Sequence, residues 1–196
     1  MHLIVGLGNP GPGYETSRHN MGFKVVDRWC KDLGLSMSSR RFRARTVRAE
    51  FRGNNIILLC PLTFMNLSGE SVRACADYYA LETSRILVIH DDLDIPLGRI
   101  KIVRDRGTGG HKGVSSIVRH LGSTGFCRVK VGIGRPRYGE AVEDYVLAPF
   151  YADEKGLAQE AIRAAVDACE LFVLEGVESA MNRINRQNLV NKEEKN

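Results

Sequence analysis

The chain has 196 residues, 43% of them hydrophobic and 26% charged, with a net charge of +5 at neutral pH. That composition fits one globular domain and argues against a membrane-spanning protein, because no apolar run approaches the ~20 residues that cross a bilayer. The five cysteines (Cys30, Cys60, Cys75, Cys127 and Cys169) are dispersed in apolar surroundings without CxxC spacing, which points away from a disulfide or zinc framework and toward a reduced, cytoplasmic protein.

In chain order, residues 3–7 read as a buried strand rather than a signal peptide. A glycine- and proline-rich loop follows, then Arg18-His19-Asn20, and Phe23, Val26, Cys30 and Leu33 recur at helical spacing, with Gly34 as the stop. Residues 46–51 and 56–60 form a predicted antiparallel hairpin with Gly53-Asn54 as its turn. Val72, Cys75, Ala76 and Tyr79 mark a second helix, with Ser68 as the expected N-cap. Strands are expected at 86–89, 99–103 and 128–133. Val114, Ile117, Val118 and Leu121 make a third helical stripe. A long fourth runs from Leu157 to Phe172, opens at Asp153 and closes near Gly176, with a short basic helix at 181–186 after it. The expected fold is a single α/β domain over residues 1–187, a twisted mixed sheet with helices on both faces, and a frayed polar tail at 188–196.

The charge is unevenly placed. Ten bases fall between Arg99 and Arg137 (Arg99, Lys101, Arg104, Arg106, Lys112, Arg119, Arg128, Lys130, Arg135, Arg137) against one acid, Asp105. A second cluster comprises Arg40, Arg41, Arg43, Arg45, Arg48 and Arg52. Such blocks suit a polyanion partner; the plainer alternative is a solvated basic face.

Polar residues gather after the strands, where open α/β sheets bind ligands. Gly6-Leu7-Gly8-Asn9-Pro10-Gly11 matches G-x-G-x-x-G, but Pro10 and Pro12 prevent a helix from opening inside the glycines, so a dinucleotide site is not indicated. No G-x-S-x-G nucleophile is present, and each cysteine lies on or beside an apolar stripe. A metal site from Asp91, Asp92, Asp94 and His90 or His111 lacks a recognised ligand spacing. The remaining arrangement is His19 as a general base, its far N–H accepted by Asp91, activating water. Its plainer alternative is a surface histidine beside a helix start. Asn9 and Asn66 are placed to bind or polarise a carbonyl, although loop asparagines are also common for turn chemistry alone.

Val5-Gly6-Leu7-Gly8-Asn9-Pro10-Gly11, Tyr14, Arg18-His19-Asn20-Met21-Gly22, Phe64-Met65-Asn66-Leu67-Ser68-Gly69, His90-Asp91-Asp92-Leu93-Asp94, Gly109-Gly110-His111-Lys112-Gly113 and Gly132-Ile133-Gly134-Arg135-Pro136 occur in order and correctly spaced. In these the chain resembles the bacterial peptidyl-tRNA hydrolase family from about residue 3 to 185. The resemblance implies hydrolysis of the ester joining a peptide to the 3′ ribose of tRNA, a reaction expected to need no metal or organic cofactor; no obligate protein partner is expected, and a monomer is the default. It implies His19 as base and Asp91 as its supporting carboxylate. Asn9 matches the residue that senses the blocked α-amino group, and Tyr14, Phe64 and Asn66 match positions lining the site, with Asn20 and Met65 as scaffold. Lys112 stands where the family commonly has asparagine; it donates but cannot accept a hydrogen bond. A patch of Lys101, Arg104, Arg106, Arg128 and Lys130 is the expected tRNA phosphate site, with Val103 at one position where a base is usual. The rival reading is a non-catalytic RNA-binding relative of the same fold.

Overall fold

The computed structural model describes residues 1–193, with side chains described through residue 186. Six strands build one sheet: β1 (His2–Gly6), β2 (Ala44–Phe51), β3 (Asn54–Pro61), β4 (Ile86–Asp92), β5 (Ile100–Arg104) and β6 (Cys127–Gly132). Their spatial order is β2-β3-β1-β4-β6-β5. The four inner strands are parallel, and β2 and β5 close the edges antiparallel to their neighbours. The expected mixed α/β sheet is therefore present.

The inner strands lack apolar–polar alternation because both faces are covered. Ile4, Leu58, Leu87, Ile89 and Val129 pack with α1 (Met21–Asp32) and α5 (Lys155–Glu193). The alternate residues Leu3, Val5, Leu59 and Val88 pack with α2 (Ser68–Tyr78) and α3 (Lys112–Leu121) on the other face. A short helix, α4 (Val142–Leu147), was not foreseen.

Several boundaries differ from expectation. Phe51 pairs with Asn54, so the hairpin turn is Arg52-Gly53, one residue earlier than expected, and both of its residues carry positive φ (46° and 80°), as a tight hairpin of this twist requires. Ser68 is not an N-cap: it lies inside α2 and donates its hydroxyl to the Met65 carbonyl. A 3-10 turn (Ala152–Glu154) takes up Asp153, and α5 starts at Lys155. Gly176 does break the long helix, at φ 81° and ψ 175°. The helical backbone continues to Glu193, and the side chains of the tail expected at 188–196 lie outside the described residues.

One packing detail positions the site. A Cβ on Gly22 would sit 2.2 Å from the Leu7 nitrogen and 2.4 Å from the Ile89 oxygen. The absence of that atom lets the first turn of α1 rest directly on the backbone of β1 and β4, where Phe23 N–H donates to the Leu7 carbonyl (3.2 Å).

Candidate active site

His19 lies in a 3-10 turn (Arg18–Asn20) that leads into α1, above the C-terminal end of β4. Its Nδ1 is 2.9 and 3.0 Å from the two carboxylate oxygens of Asp91, the sixth residue of β4. Asp91 also lies 3.1 Å from Nε2 of His111. The other nitrogen of His111 accepts from the Gly113 and Val114 amides and caps α3, so Nε2 carries the proton that Asp91 receives. One buried carboxylate thus orients two imidazoles. Burial pushes the Asp91 pKa up, but electrostatic interaction with His111 and His19 and the hydrogen bonds from both rings outweigh it and hold the group well below the usual carboxylate range. With Nδ1 of His19 turned to a carboxylate, its proton sits there and Nε2 is left as a free base.

The preceding residue fixes this turn. Arg18 is fully buried; it donates to the carbonyls of Tyr145 (3.3 Å), Ala148 (3.4 Å) and Pro149 (2.6 Å) and pairs with Glu154 at 2.8 Å. Its guanidinium lies 3.9 Å from the Tyr145 ring centroid. These contacts bind the segment carrying α4 against the His19 turn.

On the other flank, Asn20 clamps the backbone of Asn9, accepting from its N–H (2.8 Å) and donating to its carbonyl (3.0 Å). The Asn9 side-chain oxygen accepts the Met65 amide at 2.9 Å, which leaves its NH₂ as the group available to a ligand. Asn9, His19, Asp91, His111 and Lys112 line a cleft of about 450 Å³. Met65, Leu93, Val142, Val146 and Leu147 give it an apolar wall. The arrangement offers a positioned base, amide and ammonium donors, and room for an apolar chain.

Residues 3–193 match the family model described as peptidyl-tRNA hydrolase. The chain belongs to the peptidyl-tRNA hydrolase family. It is 45% identical over 185 residues to a peptidyl-tRNA hydrolase of Geobacillus thermodenitrificans, covering 94% of this chain and all of that one. It is 43% identical over 186 residues to that of Carboxydothermus hydrogenoformans, covering 95% and 99%. The crystal structure of peptidyl-tRNA hydrolase from Acinetobacter baumannii superposes with a TM-score of 0.88 at 38% identity, covering 94% of each chain.

Of the residues that family resemblance singles out, the cleft gathers His19, Asp91, Asn9 and Lys112. Tyr14, Phe64 and Asn66 lie outside its lining: Tyr14 is half-buried, Phe64 is 58% exposed, and the Asn66 carbonyl accepts from Arg119 at 3.3 Å. The sequence offers His111 only as a metal-ligand candidate and within the family motif; its tie to Asp91 is a finding of the structure. Nor was the apolar wall from α4, although Val142, Tyr145 and Val146 follow helical spacing.

The phosphate patch needs one correction. Arg128 is buried, and its guanidinium donates to the Arg106 and Gly107 carbonyls at 3.0 and 2.8 Å, so it braces the loop after β5 and does not face a ligand. Lys101 and Arg106 are exposed, Arg104 pairs with Glu178 at 2.8 Å, and Lys130 is held by Asp92 at 2.6 Å. Asp94 pairs with Arg135, so Asp92 and Asp94 turn to cations rather than toward a shared metal position. Among the described residues, His19, Asp91 and His111 bring ligating atoms within 4.8 Å of one another, with one nitrogen of each ring within hydrogen-bond distance of the Asp91 carboxylate. No described helix is long and apolar enough to cross a membrane.

Proposed function

We propose that this chain hydrolyses the ester between a peptide, or an N-blocked amino acid, and the 3′ ribose of tRNA, returning the tRNA to translation. Family membership supports the reaction class, and the observation that carries the mechanism is the His19–Asp91 pair at the floor of a cleft with an apolar wall. His19 takes a proton from water at Nε2, and the water oxygen attacks the ester carbonyl. Asp91 stabilises the imidazolium that forms, as a fixed anion within hydrogen-bond reach of Nδ1. The tetrahedral oxyanion is met by donors lining the cleft, the Asn9 amide and the Lys112 ammonium. Collapse breaks the bond to the ribose oxygen, which recovers the proton from His19 and leaves as the 3′ hydroxyl. The peptide side chains lie along Leu93, Val142, Val146 and Leu147. Lys101, Arg104, Arg106 and Lys130 receive the tRNA phosphates, Lys130 by exchanging Asp92 for phosphate. No step draws on a metal.

Release of the blocked amino acid from N-acetyl-aminoacyl-tRNA, with unblocked aminoacyl-tRNA as control and a chelator present throughout, tests the reading. Turnover of the blocked substrate alone is expected, and His19→Ala should lose at least roughly a hundredfold in kcat with tRNA binding retained. Equal turnover by the His19 variant would remove that residue from the mechanism, and no turnover by the wild type would remove the function.

A further inference from the structure

The arginines at 40, 41, 43, 45, 48 and 52 take no part in the chemistry above. They lie on β2, the segment leading into it and, for Arg52, the turn after it, at the sheet edge opposite β5, which carries Lys101 and Arg104. Six strands at ~4.8 Å spacing put the two basic edges about 24 Å apart. Arg43 pairs with Glu70 and Arg45 with Asp27. Arg40, Arg41 and Arg48 are exposed and have no acidic partner among the described residues.

Arg41 is instead built into an aromatic cluster. Its guanidinium lies 4.4 Å from the Tyr78 ring centroid and 5.0 Å from that of Phe42, and it hydrogen-bonds the Tyr78 side chain. Tyr78 meets Phe42 at 5.5 Å and Tyr79 at 4.8 Å between centroids. Phe42 and Tyr79 are half-buried and anchor the cluster on the core beneath α2 and α3. Tyr78, the last residue of α2, is 60% exposed. The backbone supports this display at a cost, since Phe42 and Arg43 are consecutive left-handed residues (φ 57° and 53°), a conformation disfavoured away from glycine.

We propose that Arg41 and Tyr78, seated on Phe42, form a stacking site for an unpaired base of the bound tRNA, with Arg40 and Arg48 at the phosphates beside it. Flat aromatic and guanidinium planes are what splayed-out bases stack on. An acidic protein partner would use the arginines but has no need of the exposed ring, so RNA is favoured. The site rests on tRNA being the substrate. It adds a contact at the edge opposite the expected phosphate patch, gripping nucleotides other than the terminal one held in the cleft.

Fluorescence anisotropy with labelled deacylated tRNA and with an unstructured dodecauridine, on wild type, Tyr78→Ala, Tyr78→Phe and Arg41→Ala, tests it directly. Thermal melts confirm that these surface variants fold. Tyr78→Ala is expected to weaken both RNAs about tenfold and to raise KM for N-acetyl-aminoacyl-tRNA similarly with kcat unchanged. Tyr78→Phe keeps the ring and should bind like wild type. Arg41→Ala should weaken binding and reduce the salt slope by about one. An unchanged tRNA affinity in Tyr78→Ala overturns the site, even if dodecauridine binding falls. So does an equal loss in Tyr78→Phe, or displacement of labelled tRNA by polyglutamate from wild type but not from Tyr78→Ala. Because binding is read without turnover, an inactive wild type would count against the hydrolase reading and leave this result separate.

Discussion

At the scale of single residues, Asp91 is the most consequential side chain because two rings depend on it. His19 and His111 both point a ring nitrogen at the same carboxylate, from different elements, with their rings side by side. Replacing it with asparagine keeps the shape but offers one acceptor and one donor where two acceptors are needed. One histidine then loses its partner, and the imidazolium loses its counter-charge. Asp91→Asn should therefore lower kcat by roughly 10²- to 10⁴-fold with little change in tRNA affinity; a kcat within a few-fold of wild type would show that His19 does not rely on that charge. The pair was legible in the sequence, since a histidine ahead of a helix and an acid at the end of an apolar strand follow a general pattern of α/β sites. His111 was not, because an imidazole is an uncommon N-cap and nothing in Gly110-His111-Lys112 signals that its lone pair faces two amides. Arg128 misled for a related reason: charge counts register a base, but not whether its fork is spent on carbonyls inside the fold.

At the scale of elements, the cleft is completed by α4, a six-residue helix too short to hold itself in place. Tertiary contacts do so. Arg18 N–H donates to the Ala148 carbonyl, Ser17 bridges Pro149, and the Arg18 guanidinium takes three carbonyls and Glu154 while lying over Tyr145. Removing the Arg18 side chain leaves Glu154 poorly compensated and takes from the Pro149 carbonyl its guanidinium donor, while the Tyr145 and Ala148 carbonyls keep only their backbone donors. Arg18→Ala should destabilise the fold by about 3–5 kcal/mol. The milder Arg18→Lys keeps the charge but loses the fork, and it should speed amide exchange across residues 142–149 and raise KM for peptidyl substrates more than it lowers kcat. Exchange in that segment matching wild type would show that α4 stands without the arginine. Long periodic elements were readable because their apolar stripes are dictated by the core; α4 escaped because its single inward face spans two turns. The shift of the hairpin turn to Arg52-Gly53 has a similar origin: composition identifies a turn, while register is set by which residues of the flanking strands meet.

At the scale of the molecule, alternating strands and helices with one hairpin were enough to expect a mixed α/β sheet, but not its second antiparallel edge at β5 or the order of its strands, since burial reports that a strand is covered and not which strand lies beside it. That order decides where charge falls, placing basic groups at both sheet edges and His90 in the middle, beneath the site. His90 is completely enclosed: burial first, then electrostatic interaction with the neighbouring His111, pushes its pKa well below 6.5, and Asp91 only partly opposes them. Its Nδ1 donates to the Asp91 carbonyl at 2.7 Å, while its buried Nε2 has no partner among the described residues. His2 is also pushed down, to about 4, by burial and by Arg85. As pH falls below 6.5 the unfolded chain takes up protons at both positions and the folded chain does not, so the stability these neutral rings confer is complete above 6.5 and is lost on acidification. The His2 share ends near pH 4, where the folded ring also protonates; that of His90 continues lower. One proton bound only by the unfolded state corresponds to a slope of about 1.4 kcal/mol per pH unit. Urea denaturation at intervals from pH 7.5 to 4.5 should show wild-type stability falling with pH. His90→Asn, which keeps a donor where Nδ1 stood and removes the ionisable ring, should fall less steeply by up to that amount. Parallel curves for the two proteins would mean that acid enters the fold somewhere other than this ring.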